Sequence, residues 1–359
     1  MSVDSVSSVS AIEAELDDLW RGEAHGDEAV LRSCVMNLIV VCADRNRAAE
    51  TTTQIATLSG SYPGRAILVL LDDDDDRDSL TMYASAHCRR GAGGAQVCNE
   101  QITIEAGPKS RALLSPTLLQ FLVADCPVFT WWQAGNAAEN PLARELTGLS
   151  ELFILDSGRF DEPGRSLATL DRLVDQADCG DHVRDLAWKR QEGWREAVAA
   201  MFDNAAHAAL LGEVTSILLR TGPPAAEGCT SVAGAYLAGW LGSRLGWTVE
   251  NGTLRRPDGE AVALRFECNE NAGWEEIDAI RIEAGEGAVF GARRLGGGGD
   301  GVRLRSRVGT ASSPPSIQRV GFPDDGRLLT RVFERPGRDP LFAGALELAA
   351  GIAAGENEA

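Results

Sequence analysis

The chain has 359 residues, 44% of them hydrophobic, a length that at roughly 100–200 residues per domain predicts two domains. Its formal charge is −19, with eight acids against Arg21 in residues 1–28 and six against Arg77 in residues 72–78. This balance argues against nucleic acid and anionic membranes as partners, because both need a basic footprint. No apolar run approaches the ~18 residues of a membrane span, no basic-then-apolar leader opens the chain, and the eight cysteines lie without close pairing, so a reducing, cytoplasmic setting is expected.

Residues 1–10 read as a disordered Ser/Val-rich tail. Ser10-Ala-Ile-Glu13 spells a capping box, and Ile12, Leu16 and Trp20 recur at i, i+4 and i+8, predicting a short amphipathic helix. Burying three such side chains stabilises by ~5–8 kcal/mol gross, while ordering each backbone residue costs ~1–2 kcal/mol. The helix therefore forms only when docked, on its own body or on a partner.

From Met36 to about Gly180 strand and helix alternate. Strands are predicted at Met36–Cys42, Ala66–Leu71, Thr81–Cys88, Gln96–Ala106, Pro127–Trp132 and Leu152–Leu155, with helices near Arg45–Leu58, Pro116–Ala124 (Ser115 as N-cap) and Gly164–Ala177. Fully apolar strands beside helices indicate an α/β layer, a Rossmann-like mixed sheet, with the strand pair 81–88 and 96–106 inserted as a hairpin. A long helix is predicted over His182–Asp203, with Val183, Ala187, Trp194, Val198 and Met201 as its core stripe. Strand Val214–Leu219, helix Ser231–Leu245, short strands turned by Asn251-Gly252 and Asp258-Gly259, and a closing helix Pro340–Ala354 make the second half α+β with an antiparallel sheet. The expected domains are thus 11–180, including the docking helix, and 181–359.

No motif nominates a reaction. Gly296-Gly-Gly298-Gly-Asp-Gly301 matches G-x-G-x-x-G by letter, but Val302–Val308 alternates like a strand, so it reads as a hairpin tip. Lys109 and Lys189 are the only lysines, and neither sits in a phosphate loop. His87, Cys88 and Cys98 supply three metal ligands without a fourth. A loop centred on Gly93 sets Cys88 opposite Cys98, either as a strained, labile disulfide or as two ordinary thiols.

Arg184, Trp188 and Arg195 share the face of the long helix opposite its core stripe, either as interface anchors or covered by another element. Trp131 and Trp132 end a strand, where alternation sends one ring to each side. In the second half Arg265, Arg281, Arg303, Arg305 and Arg307 fall opposite apolar positions, giving a basic sheet face that is either simply solvated or meets an acidic protein or a sugar phosphate.

Met36-Asn-Leu-Ile-Val-Val-Cys42, Tyr62-Pro-Gly-Arg-Ala-Ile67 and Val97-Cys-Asn-Glu-Gln-Ile-Thr-Ile104 resemble the OpcA family of glucose-6-phosphate dehydrogenase assembly proteins. So do Asp125-Cys-Pro-Val-Phe-Thr-Trp-Trp132, Asp185-Leu-Ala-Trp-Lys-Arg-Gln-Glu-Gly-Trp-Arg195 and Ala238-Gly-Trp-Leu-Gly-Ser-Arg-Leu-Gly-Trp247, the set running in order from about residue 12 to 283. The resemblance implies a non-catalytic cytoplasmic activator that binds glucose-6-phosphate dehydrogenase and supports NADPH production in the pentose phosphate pathway. It assigns no cofactor, metal or catalytic residue. It also links photosynthetic members to thiol control, although Asn99 here follows Cys98 where a second cysteine is expected. The residues themselves offer as contact candidates Arg184, Trp188, Arg195, Trp131, Trp132, Ile12, Leu16 and Trp20, with Cys88 and Cys98 as a redox pair. The alternative is a sugar-phosphate- or nucleotide-binding protein using the α/β half.

Overall fold

The computed structural model describes residues 8–23, 30–31, 34–58, 62–90, 96–160, 163–175, 182–223, 230–296, 300–334, 337 and 339–355. The backbone gathers into two compact units, Met1–Leu155 with His182–Arg184, and Asp156–Asp181 with Asp185–Ala359.

The first unit holds helices α1 (Val9–Glu23), α2 (Arg45–Leu58), α3 (Leu114–Phe121) and α4 (Pro141–Leu149). Its strands are β1 (Val30–Leu31), β2 (Met36–Cys42), β3 (Gly64–Leu71), β4 (Thr81–Arg90), β5 (Gln96–Ala106), β6 (Val128–Gln133), β7 (Leu152–Leu155) and β8 (Val183–Asp185). They form one sheet in the order β1-β5-β3-β2-β6-β7-β8, with β4 antiparallel on β5. Counted from β2, the strands from β5 to β8 follow the 3-2-1-4-5-6 order of doubly wound dinucleotide folds, and the pairs from β5 to β7 are parallel. Every residue of β2 and β3 is buried, which is why Leu38–Val41 and Ala66–Leu71 read as unbroken apolar runs rather than alternating ones.

Ile12 and Leu16 are fully buried, and α1 packs on β4 and α3, so the helix docks on its own unit. The side chain of Trp20 lies outside the described residues, as do residues 1–7 of the expected tail. The cap differs from the expected box: the Ser8 hydroxyl accepts from Ala11 N at 3.3 Å, and Glu13 turns inward. Buried Arg65 of β3 holds Glu13 at 2.7 Å and Glu100 of β5 at 2.7 Å, while donating to the Phe121 carbonyl at 3.0 Å. One arginine thus ties α1, the sheet and α3 together. Helix α3 starts a residue before Ser115, continuing a 3-10 turn over Arg111–Leu113, so Ser115 is not its cap.

The second unit contains α5 (Pro163–Asp175), α6 (Leu186–Arg190), α7 (Glu192–Ala200), α8 (Ala205–Ala209), α9 (Val232–Leu245), α10 (Asp325–Glu334) and α11 (Phe342–Gly355). Its sheet comprises β9 (Val214–Thr221), β10 (Thr248–Glu250), β11 (Thr253–Arg255), β12 (Ala261–Cys268), β13 (Ile277–Ala284), β14 (Ala288–Arg294), β15 (Val302–Val308), β16 (Ala311–Ser312) and β17 (Ser316–Gln318). The order is β10-β11-β12-β9-β13-β14-β15-β16 with β17 on β15, antiparallel except for β9 beside β12. The Gly-rich segment joins β14 to β15 as a hairpin, with its tip residues 297–299 outside the described set.

The long helix expected over 182–203 is instead a strand followed by two helices. Val183–Asp185 joins the sheet as β8, the Asp185 carboxylate caps α6 by accepting from Ala187 N at 2.9 Å, and Gln191 leaves helical geometry between α6 and α7. By compactness the units divide after Leu155, with Asp156–Asp181 grouped with the second. Helix α5 packs along α11 and so counts with the second unit. Helices α9 and α11 approach closely at Gly239, where an added Cβ would lie 2.5 Å from the Ala345 carbonyl oxygen.

Candidate functional site

Doubly wound sheets bind ligands outside the strand C-termini where the strand order reverses, here between β2 and β6. A dinucleotide would set its pyrophosphate on the N-terminus of α2. That position is filled by the chain itself: the Asp44 carboxylate accepts from Asn46 N at 2.8 Å and Arg47 N at 3.3 Å. Arg45 is drawn aside to Asp72 at 2.8 Å and Glu105 at 2.9 Å, and the turn from Cys42 to Arg45 carries no glycine. Gln133 at the end of β6 donates to Thr51 at 3.0 Å. An anion there would face a carboxylate, so these residues do not fit a nucleotide phosphate.

Four of the six aspartates of the acidic stretch 72–78 are ion-paired within the same unit. Asp72 pairs with Arg45, Asp73 with Arg111, Asp75 with Arg77 and Asp76 with Lys109.

The contact residues expected from sequence, Trp20 aside, are placed inside the fold. Trp188 is 1% exposed and Arg195 9%. The Arg195 guanidinium lies 3.6 Å from the Trp188 ring centroid and donates to the Trp188 carbonyl at 2.7 Å. Tyr236 meets the same ring edge-on at 5.7 Å and Phe342 at 5.9 Å, while its Nε1 donates to Asp339 at 2.9 Å. Burial draws the Arg195 pKa down to about 10. Arg184, 2% exposed in β8, donates to the Val183 carbonyl at 2.8 Å. Trp131 and Trp132 are buried in β6, Trp132 donating to the Gly135 carbonyl and stacking with Phe153 at 6.5 Å. With Ile12 and Leu16 also buried, these residues offer no accessible contact face. The helical spacing that grouped Arg184 with Trp188 and Arg195 fails because Arg184 is in a strand. Cys88 does pair with Cys98 in the β4–β5 register; their side chains lie outside the described residues.

A buried polar cluster, not foreseen from sequence, occupies the second unit. Asp185 accepts from Tyr236 Oη at 2.6 Å and from Ser157 N at 3.0 Å. Asp156 is held by Arg190 at 2.8 Å and Arg159 at 3.1 Å, and Asp325 by the same two arginines. Glu275 accepts from Ala233 N at 2.9 Å, Val232 N at 3.3 Å and Ser231 Oγ at 2.7 Å, closing the N-terminus of α9. Burial lifts Asp185 to about 6, helped by the charge of Asp156, and lifts Glu275 to about 7. Each carboxylate serves a helix end or an arginine, so the cluster acts as an internal brace. Among the described residues no group of His, Cys, Asp and Glu is arranged to hold a metal ion.

The other chemically distinctive region is the face of the second sheet opposite its core side chains. Arg265, Arg281, Arg303, Arg305 and Arg307 are all exposed, in keeping with the strand alternation. Register adds two arginines that sequence reading missed, Arg220 and Arg293. The first lies just past the expected strand end, and the second on a strand with no clear alternation. One row across the strands reads Arg265, Leu218, Arg281, Gly291, Arg305; the next reads Glu267, Arg220, Ala279, Arg293, Arg303, Ile317. Asp278 lies 3.8 Å from Arg220 and 3.9 Å from Arg293, and Glu283 pairs with Arg281 at 2.6 Å. Arg265, Arg303, Arg305 and Arg307 make no ion pair among the described residues. A cleft of about 510 Å³ opens at the edge, lined by Asn269, Asn271, Arg293, Arg294 and Arg303 among others.

Two family models match the chain. Residues 55–172 match the "glucose-6-phosphate dehydrogenase subunit N-terminal domain" of OpcA, and residues 181–346 the corresponding "C-terminal domain". Proteins named OxPP cycle protein OpcA are similar: 26% identical over 307 residues in Synechocystis and 25% over 311 in Nostoc punctiforme, covering 80% of this chain in each case. The matches cover 62% and 64% of those relatives, less than two thirds of their length. Among solved structures, a 3-ketoreductase from Actinomadura kijaniata is similar at 12% identity and TM-score 0.49, over 89% of this chain and 96% of that one. No described helix is long and apolar enough to cross a membrane.

Proposed function

The chain belongs to the OpcA family, and from that premise we propose that it is a non-catalytic partner of glucose-6-phosphate dehydrogenase that binds the enzyme and favours its active assembled form. The observation that carries this reading is that both halves of the chain, over residues 55–172 and 181–346, match the two domains of that dehydrogenase-subunit family. The alternative, a nucleotide or sugar phosphate on the α/β unit, loses support from the Asp44 carboxylate standing where the phosphate would bind.

Activation of this kind needs only differential affinity. A partner that binds the active conformation or oligomer ~100-fold better than the inactive one shifts the equilibrium by about 2.7 kcal/mol, within reach of one modest interface. Acting on that enzyme, the protein works in the cytoplasm and raises NADPH output in the oxidative pentose phosphate pathway.

The test is to assay the glucose-6-phosphate dehydrogenase of the same organism with and without excess protein, under reducing and oxidising conditions. A higher kcat/KM together with a co-eluting complex is expected. No complex and unchanged kinetics would overturn the reading. A difference between the two redox conditions that Cys88→Ser abolishes would assign control to the paired Cys88 and Cys98 positions.

A further inference from the structure

We propose that the arginine-bearing face of the second sheet, formed by β12, β9, β13, β14 and β15, is a docking surface for an acidic protein surface. The identity of its owner, the dehydrogenase, rests on the reading above.

Four observations converge on this face. It is basic on a chain whose net charge is −19: seven arginines stand against Glu267, Asp278 and Glu283. A generic solvated sheet face of such a chain would share the overall sign. Its charges are also poorly compensated from within, since Arg265, Arg303, Arg305 and Arg307 have no carboxylate partner among the described residues. The arrangement further opposes the sheet's own stability. Arg293 and Arg303 sit directly opposite one another, and like charges opposed across strands are destabilising. Arg303, Arg305 and Arg307 follow on one strand face at ~6.7 Å intervals.

The relief of the face is the fourth observation. Ala263, Ala279 and Gly291 keep it low between the arginine rows. A Cβ at Gly291 would meet its nearest neighbour at 3.8 Å, so packing within the chain does not demand glycine there. Adjacent strands are ~4.8 Å apart, which sets arginines in the first row every second strand, ~10 Å from one another. Five strands about 20 Å long offer several hundred Å², the scale of one side of a standard protein interface, ~800 Å². Ile317, 60% exposed and opposite Arg303, supplies an apolar contact at the rim. The adjoining cleft is lined by Arg293, Arg294 and Arg303 together with Glu276 and Asp278, so its charge is mixed and the arginine rows, not the cleft, carry the basic character of the face.

A protein fits these features better than a polynucleotide. Beyond a Debye length of ~8 Å the chain as a whole presents negative charge, which repels an extended polyanion. A folded partner with a local acidic patch touches the arginines alone.

The experiment uses the full chain and the purified dehydrogenase of the same organism. Affinity is measured for wild type, Arg281→Glu/Arg305→Glu, Arg303→Glu/Arg307→Glu, and the control Arg327→Glu, an 80% exposed side chain on α10. Wild-type affinity is expected to fall steeply with added salt. Each double reversal should weaken binding at least 100-fold and flatten that salt dependence, and the control should stay within about twofold. Thermal melts of all variants at or above wild type would exclude misfolding; if a reversal melts low, the milder Arg305→Gln, expected to weaken binding several-fold, replaces it. A wild-type complex that all variants form equally well would overturn the docking proposal and leave the assembly reading standing. No wild-type complex at all would sink both. Retention of wild type, but not of the reversals, on a DNA duplex in place of the dehydrogenase would overturn the choice of a protein partner.

Discussion

Glu275 offers a test of how the second unit is braced. Its carboxylate is 2% exposed and closes the N-terminus of α9, yet burial outweighs those hydrogen bonds and lifts its pKa from 4.5 to about 7. The sign follows from linkage. Between pH 4.5 and 7 the folded protein keeps the proton that the unfolded chain has lost, so the stability present below pH 4.5 is lost as pH rises through 7. A shift of this size, at 1.36 kcal/mol per pH unit, corresponds to about 3 kcal/mol in full by pH 8. In Glu275→Gln the amide oxygen can take the bonds from Ala233 N and Ser231 Oγ and lose only the longest one, from Val232 N at 3.3 Å, at a cost of about 1 kcal/mol. The variant should therefore match or trail wild type at pH 5 and exceed it by about 2 kcal/mol at pH 8, some 4–8 °C in the melting transition of a unit this size. Asp185, also raised, titrates in both proteins, so the difference between the two melts isolates Glu275. Tryptophan fluorescence melts at pH 5, 6, 7 and 8 would show it. Parallel profiles across that range would refute the argument that this carboxylate is ionised at a desolvated site.

Three substitutions probe the remaining structure. Trp188→Ala should cost about 3–5 kcal/mol, because the ring is packed by Tyr236, Phe342 and the Arg195 guanidinium; an unchanged melting temperature with lost dehydrogenase binding would instead make it a surface anchor. Gly239→Ala would favour an isolated helix by ~1 kcal/mol, but here it should destabilise by about 1–3 kcal/mol, since the methyl meets the Ala345 carbonyl at 2.5 Å; a stabilised variant in a thermal melt would contradict the α9–α11 approach. Arg303→Gln should raise stability by ~0.2–1 kcal/mol, by relieving its opposition to Arg293, while weakening the complex; urea titrations and binding isotherms read the two effects separately.

What the sequence made legible was what its local periodicity encodes. Strands β2, β5 and β7 and helix α2 fall at their expected bounds, and the β4–β5 register follows from the loop centred on Gly93. The exposed arginines of β12, β13 and β15 were legible for the same reason: strict alternation in an open antiparallel sheet reports directly on side-chain direction. The segment 182–203 was not, because Val183–Asp185 is strand only by virtue of its place beside β7, a tertiary fact that no local pattern carries. Once the helical wheel began four residues early, Arg184, Trp188 and Arg195 were grouped on a face that does not exist. The brace of Asp156, Asp185, Tyr236, Glu275 and Asp325 was equally hidden. Its members lie up to 169 residues apart, and nothing in their spacing announces that they meet.

Arginine shows the same divide in chemical terms. Arg65, Arg190 and Arg195 are largely withdrawn from water, and each has a defined set of partners: Glu13 and Glu100, Asp156 and Asp325, the Trp188 ring and carbonyl. Burial demands this, since an unpaired guanidinium inside a protein costs several kcal/mol. Arg265, Arg303, Arg305 and Arg307 on the sheet face are exposed and face no such demand. The fold itself does not require their clustering, because folding alone would be served as well by mixed charges or by threonine. If the cluster docks a partner, the repulsion between Arg293 and Arg303 is relieved only in the complex. Part of the binding free energy is then repulsion already present in the unbound sheet, and the stability gained by Arg303→Gln in the free protein should reappear as affinity lost.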